Sequence, residues 1–238
     1  MTVEPRLDII GAALADVSRT RILCEMMDGR AYTNKELASA AEISAQTASV
    51  HLKQLQAAGL TSSIRSGRCV YHRIASEDVA SVLEALASLS PTDHLYRAKN
   101  RYLPEANTMR ARSCYNHIAG RLGVLITNRL IALGVLRIQG EVVEIGAMGE
   151  AFFSKLEIDV PNLSISLKPP LKLCLDWTER RQHISGPLAT ALMEKTLKMN
   201  WLERRTGSRA LLITELGYEV FEHDFGIARE LIDGTDYP

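Results

Sequence analysis

A mainly α-helical chain punctuated by small β-hairpins, an α+β protein in two parts, is what this sequence predicts. Three observations carry the expectation. Apolar residues at three-and-four spacing, with capping residues between the runs, fill the first ninety positions; extended β-branched runs flank "SGR" at 66–68; and the stretch that begins at His117 returns at His183. A length of 238 residues suits two domains, and 46% hydrophobic residues suffice to bury cores. The formal net charge is zero, which excludes a wholly basic nucleic-acid binder while leaving room for a local patch. No apolar run approaches the ~20 residues of a membrane span, and "MTVEPRLDII" lacks a signal-peptide pattern, so a cytoplasmic protein with no membrane partner is expected. The four cysteines are scattered without a C-x-x-C pair, and in a reducing compartment they are expected as free thiols.

Leu7, Ile10, Leu14 and Val17 predict a first amphipathic helix. Ser18 is placed to cap a second, carrying Ile22, Leu23, Met26 and Met27 and closed by Gly29; Cys24, lying among these residues, is expected as a packed core thiol. Thr33 and Glu36 form a capping-box pattern for a short third helix through Leu37 and Ala41. Ser44 then caps a fourth, "AQTASVHLKQLQAAGL", in which Ala48, Leu52 and Leu55 make one narrow apolar face and Gly59 supplies the terminus. A helix that served only the core would carry a wider stripe. Gln46, Thr47, Ser49, Val50, Lys53 and Gln54 fan over its far side, with Ser44 and His51 beside them.

"TSSIR" and "CVYHRI" predict a hairpin with Arg65 and Arg68 at its tip. Two short helices, the second polar on its outer face, followed by a basic-tipped hairpin, describe a winged helix-turn-helix. The fourth helix fits the major groove of double-stranded DNA, and the arginines the adjacent backbone or minor groove. A solvated polar face is the alternative for such a helix alone; the glycine stop, the hairpin spacing and the paired arginines favour DNA. Ser76 caps a closing helix whose Val79, Val82, Leu83, Leu86 and Leu89 make a stripe too rich for a lone surface helix.

Over residues 5–90, "SRTRILCEMM", "KELASAAEISAQTASVHLKQLQAAGL" and "RSGRCVYHRI" resemble, in order and register, the arsenic-repressor (ArsR) family of bacterial winged-helix regulators. The resemblance implies a homodimeric transcriptional regulator, usually a repressor that an effector releases from its operator. It also implies a dimer built by the first and last helices, here Leu7 to Val17 and Asp78 to Leu89. Two departures stand out. The family's metal sensors place cysteines in the helix that here reads "KELASA", or aspartate and histidine on the last helix, here "EDVASVLEALASL"; the first has no cysteine and the second no histidine, so neither metal site carries over.

The domains expected are 1–90 for DNA binding and dimerisation, 91–112 as a basic linker containing a helix, and 113–238 as a sensor. The basic residues from Arg97 to Arg112 are expected to pair with the acidic tail rather than to touch DNA. "HIAGRLGVLITNRLIALGVLRIQG" from His117 matches "HISGPLATALMEKTLKMNWLERRTG" from His183, and "IGAMGEAFF" matches "ITELGYEVF", with the register slipping by two in the hairpin loop. Each copy reads as a helix, a hairpin and a closing helix containing Gly149 or Gly217, that is, as a degenerate winged-helix-like repeat. Neither presents an obvious second reading helix.

Chemistry gathers just before each copy. "RARSCYNH" holds Cys114, Tyr115 and His117, with Cys114 and His117 three apart and so on one face if the segment is helical; "KLCLDWTERRQH" holds Cys174, Asp176, Trp177, Arg180, Arg181 and His183. If the copies pack together, these become an effector site. Thiol, imidazole and carboxylate are transition-metal ligands, and a thiol near arginine is redox-sensitive. An organic pocket walled by Trp177 and Tyr115 and anchored by Arg180 or Arg181 is equally open, as is a structural role in which Arg180 pairs with Asp176 or Glu179. No cofactor is specified and no metal assigned. The expected function is a sequence-specific transcriptional regulator, a repressor released by a small molecule, a metal or an oxidant. The alternatives are a regulator without a small effector, and a thiol-dependent enzyme with Cys114 or Cys174 as nucleophile and His117 or His183 as base.

Overall fold

The computed structural model describes residues 5–90, 106–140, 142–160, 170–205 and 208–234. They form two compact units, which divide between Val82 and Leu83. Residues 91–105, and with them most of the expected basic linker, lie outside the described residues.

The N-terminal unit runs α1 (Leu7–Leu14), α2 (Val17–Met26), β1 (Tyr32–Thr33), α3 (Asn34–Ala40), α4 (Ala45–Ala57), β2 (Thr61–Ser66) and β3 (Cys69–Ile74), and α5 (Glu77–Leu89) starts in it. The expected first helix to Val17 is cut short. Asp16 adopts an extended conformation and its carboxylate accepts from the Arg19 N–H at 2.9 Å, so Asp16 rather than Ser18 caps α2, and Val17 opens that helix. Cys24 is exposed, contrary to the core expectation. The buried stripe of α2 is Ile22, Leu23, Met26 and Met27, and Cys24 points about 130° away from its centre at 100° per residue. The Thr33–Glu36 capping box, the Ser44 cap and the left-handed Gly59 are all present. β1, which the sequence reading did not separate from its neighbours, adds a third strand to the wing in the order β1-β3-β2. The buried Asp28 ties it down by accepting from the Tyr32 hydroxyl at 2.5 Å and pairing with Arg30.

The C-terminal unit contains α6 (Ala106–Arg110) and then one order of elements twice. The first is β4 (Arg112–Cys114), β5 (His117–Ala119), α7 (Gly120–Ala132), β6 (Leu136–Gln139), β7 (Val142–Ile145) and α8 (Gly149–Lys155). The second is β8 (Lys172–Leu175), β9 (Gln182–Ser185), α9 (Pro187–Lys198), β10 (Leu202–Arg204), β11 (Leu211–Ile213) and α10 (Glu215–Phe225), after which α11 (Arg229–Asp233) closes the unit. The small hairpin that precedes each long helix was not foreseen. The two sets interlock: α7 packs against β9, and α9 against β5. They also share one close approach. A Cβ on Gly149 would stand 2.9 Å from the Val135 carbonyl oxygen, and one on Gly217 2.1 Å from that of Trp201, so each closing helix meets the entry of its hairpin backbone to backbone. A single apolar core, including Leu122, Leu188, Phe153, Phe221 and Phe225, runs through both sets.

Candidate functional site

Two places gather the residues that the sequence singled out. The first is α4. Ala48, Leu52 and Leu55 are buried and hold the helix on the N-terminal unit, while Ser44, Gln46, Thr47, Val50 and Lys53 are exposed and Ser49 is half-buried. Ser44 accepts from the Thr47 N–H at 3.0 Å, and their hydroxyls lie 2.8 Å apart, so the first turn is fixed. His51 is half-buried, while Gln54 stays exposed with its Oε1 accepting from Arg19. Arg19 donates to the Ala12 and Ala13 carbonyls and, at 2.9 Å, to Gln54 Oε1, and His51 Nε2 lies 3.7 Å from Asp16. These two therefore brace α4 against α2. In the wing, Arg65 stands on β2 opposite Val70 and Arg68 lies in the turn beside the left-handed Gly67, with every residue from Ser63 to Val70 exposed.

The second place is deep in the C-terminal unit. Within the β4–β5 hairpin Cys114 is directly opposite His117, and within the β8–β9 hairpin Cys174 is directly opposite His183. Cross-strand partners project to the same face, so each hairpin presents one thiol and one imidazole together. The interlocked packing brings the two faces into apposition. One ligand atom from each of Cys114, His117, Cys174 and His183 lies within 4.8 Å of all the others, and His117 Nε2 is 3.0 Å from His183 Nε2. None of the four is more than 7% exposed.

Burial sets the electrostatics of this cluster. It pushes both imidazoles down, His183 to about 4, so the rings are neutral. The hydrogen bond from the Cys114 thiol holds Cys174 down to about 6 against the opposing effect of burial, with help from His117. Cys114 is pushed up, first by burial and then by its Cys174 neighbour, so the pair favours one thiol beside one thiolate.

Asp176 organises the surroundings rather than joining the four. Its Oδ2 accepts from Arg112 Nη2 at 2.8 Å and from the Gly120 N–H at 2.7 Å; its Oδ1 accepts from the Thr178 hydroxyl and from the Thr178 and Glu179 N–H groups. Burial opposes its charge, yet Arg112, His183 and these donors hold the carboxyl well below the usual carboxylate range. His183 Nδ1 lies 3.7 Å from it. Trp177 stacks on the Arg112 guanidinium at 4.9 Å. The expected pairing of Arg180 with Asp176 is not formed, because the buried Arg112 takes that carboxylate; Arg180 and Arg181 are exposed in the loop between β8 and β9, and Tyr115 is half-buried in the β4–β5 turn.

Two participants escaped the sequence reading. Arg112 had been assigned to the linker, although its position two residues before Cys114 on a strand places it on the same face. Glu84, from α5, is buried beside the Cys114 thiol and accepts from Arg209 at 3.0 Å. The only signal for Glu84 was its place on the face of α5 opposite the apolar stripe. Arg110 pairs with Asp233 at 2.8 Å, which fulfils for that residue the expected contact between basic segment and acidic tail.

Comparison with known proteins adds the following. Residues 16–63 match the bacterial regulatory proteins of the arsR family. Over 229 residues, 94% of this chain and 99% of the relative, the sequence is 37% identical to an uncharacterized HTH-type transcriptional regulator, YdfF, of Bacillus subtilis (strain 168). It is 36% identical over 86 residues to the HTH-type transcriptional regulator Rv0324 of Mycobacterium tuberculosis, a match spanning 36% of this chain and 37% of that one. Among solved structures, the homodimeric winged helix-turn-helix DNA-binding domain Mb0332 of Mycobacterium bovis is 30% identical, with 42% of this chain and 99% of that chain covered and a TM-score of 0.33.

Proposed function

The chain belongs to the HTH-type transcriptional regulators and carries an arsR-family domain, and from that premise we propose that it is an operator-binding homodimer, a repressor released by an effector sensed in the C-terminal unit. The observation that carries the DNA reading is the division of α4: three buried residues fix the helix, and Gln46, Thr47, Ser49, Val50 and Lys53 are left to face a groove. Amide, hydroxyl and ammonium groups address base edges and phosphates, and exposed Val50 suits a thymine methyl. Arg65 and Arg68 are set to neutralise phosphates.

The dimer reading rests on unpartnered apolar side chains. Leu7 on α1 is 73% and Leu89 on α5 80% exposed, with Val82 and Leu86 exposed beside Leu89, on the two helices that the family resemblance implies as the dimer helices. The repeated hairpin–helix–hairpin–helix order supports reading the C-terminal unit as two degenerate winged-helix halves serving as sensor and scaffold. α5 starts in the N-terminal unit and continues into the C-terminal one, within which its Glu84 lies beside Cys114, and this continuity supports reading α5 as the coupling element. A thiol enzyme is disfavoured by the burial of Cys114 and Cys174, which leaves a substrate no approach to sulfur in this conformation.

The test is DNA binding by the full chain to a duplex selected by the protein from a random pool. Gln46→Ala or Thr47→Ala should weaken the selected duplex more than random DNA, by about 1–3 kcal/mol for a bidentate base contact. Equal losses on both would reduce these residues to backbone contacts.

A further inference from the structure

Two hairpins meeting face to face place two thiols and two imidazoles together out of water. His117 Nε2 and His183 Nε2 have each other at 3.0 Å, and the cysteines are buried in contact with one another and with Ala119. Taking two thiols and two imidazoles out of water together is costly, whereas one cation would accept a lone pair from each of the four.

We propose that Cys114, His117, Cys174 and His183 bind one borderline-soft transition metal ion of the zinc class in a closed tetrahedral site. The inference deepens the effector reading above and rests on it only for its regulatory meaning; the site itself stands on geometry. Zinc lies about 2.3 Å from thiolate sulfur and about 2.0–2.1 Å from imidazole nitrogen, so the edges of such a tetrahedron measure roughly 3.3–3.8 Å. Ligand atoms all within 4.8 Å of one another, with the two imidazole nitrogens 3.0 Å apart, need shifts of only about 1 Å or less to reach those edges. Two sulfurs and two nitrogens are the donor set that selects zinc over calcium or magnesium, and four protein ligands leave no open position for chemistry.

The surroundings match a metal centre too. His183 offers Nε2 to the cluster while its Nδ1, buried and without a hydrogen-bond partner, lies 3.7 Å from the Asp176 carboxylate. Ligation through Nε2 fixes the proton on Nδ1, facing that carboxylate, which is how metal-bound imidazoles are commonly oriented. Asp176 is itself held by Arg112, Gly120 and Thr178, so the orientation is built in before an ion arrives. The site owes nothing to α3 or to the apolar stripe of α5.

The experiment uses the full chain, stripped with a chelator under reducing conditions and titrated with Co(II). The expected result is a saturable spectrum with thiolate-to-cobalt charge transfer and tetrahedral d–d bands, complete at one equivalent and abolished by one equivalent of Zn(II). Cys24→Ser with Cys69→Ser should leave the titration unchanged, and Cys114→Ser with Cys174→Ser should remove the charge-transfer bands. Bands that survive the second pair, or that vanish with the first, overturn the assignment, as does the absence of saturable binding. Because the second pair of substitutions can also disturb folding, X-ray absorption on the zinc-loaded wild type supplies the independent reading. Two sulfur and two nitrogen neighbours are expected, and an all-oxygen/nitrogen or all-sulfur shell overturns the site. Operator affinity is read separately, so an ion that binds as described without altering affinity supports the site while contradicting the effector reading.

Discussion

Asp176 is the residue on which the C-terminal unit is most exposed to damage. It and Arg112 are both wholly inaccessible to solvent, and removing one charge of such a pair strands the other, a cost of about 3–5 kcal/mol. Asp176→Asn should therefore lower stability by that order in chemical denaturation, and a loss under about 1 kcal/mol would mean that Arg112 finds another partner. Sequence proximity served unevenly at this scale. A three-residue spacing groups Cys114 and His117 on one face if their segment is helical; the segment is instead a β-hairpin, whose two-residue turn sets them opposite each other, and Cys174 and His183 are grouped by their place at the head of the second copy. Arg180 and Arg181 sit nearer in sequence to His183 than Cys174 does, yet they lie exposed in the loop while the strand register brings Cys174 opposite His183. Only pairing register separates these cases, and the loop between β8 and β9 left it undefined in the sequence. His51 is half-buried and Gln54 exposed, and both meet groups at the start of α2, a tertiary contact that the sequence of α4 alone does not show.

At the scale of elements, the capping residues of α3 and α4 and the glycine at the end of α4 were readable because they are local devices, each complete within four or five residues. The start of α2 was misplaced by two residues because Asp16 and Ser18 both qualify as caps, and the carboxylate took the role. The repeat was detectable from its helices, while the short hairpins before them were hidden in segments with no clear alternation. Gly217 offers the sharpest test of how those repeats close. A methyl group at that position would stand 2.1 Å from the Trp201 carbonyl oxygen, a backbone atom that cannot move aside cheaply. Gly217→Ala should cost at least the roughly 1–3 kcal/mol of ordinary overpacking, seen as a lowered thermal midpoint, and a neutral outcome would show that α10 can slide. For the wing, Arg65→Ala or Arg68→Ala should weaken selected and random DNA alike and flatten the salt dependence by about one phosphate's worth, and an unchanged slope would remove the wing from the interface.

For the whole molecule, self-association and sensing are the properties that the single chain implies without displaying. Leu86 and Leu89 are exposed on α5, so Leu86→Glu with Leu89→Glu should leave each chain folded while shifting sedimentation from dimer to monomer and abolishing tight operator binding. A variant that still sediments as a dimer would move the interface elsewhere. Among the described residues no helix is long and apolar enough to cross a membrane. The proposed function requires the C-terminal unit to govern the DNA affinity of the N-terminal one. The measurement that bears on it most directly is operator affinity of the full chain, by fluorescence anisotropy at fixed salt, with the Cys114–His117–Cys174–His183 cluster empty and then loaded with one equivalent of Zn(II). Zinc should weaken wild-type binding by about 5- to 150-fold, the range of ordinary allosteric coupling, and should leave the Cys114→Ser, Cys174→Ser variant unmoved. Equal operator affinity in the empty and loaded wild type would contradict the claim.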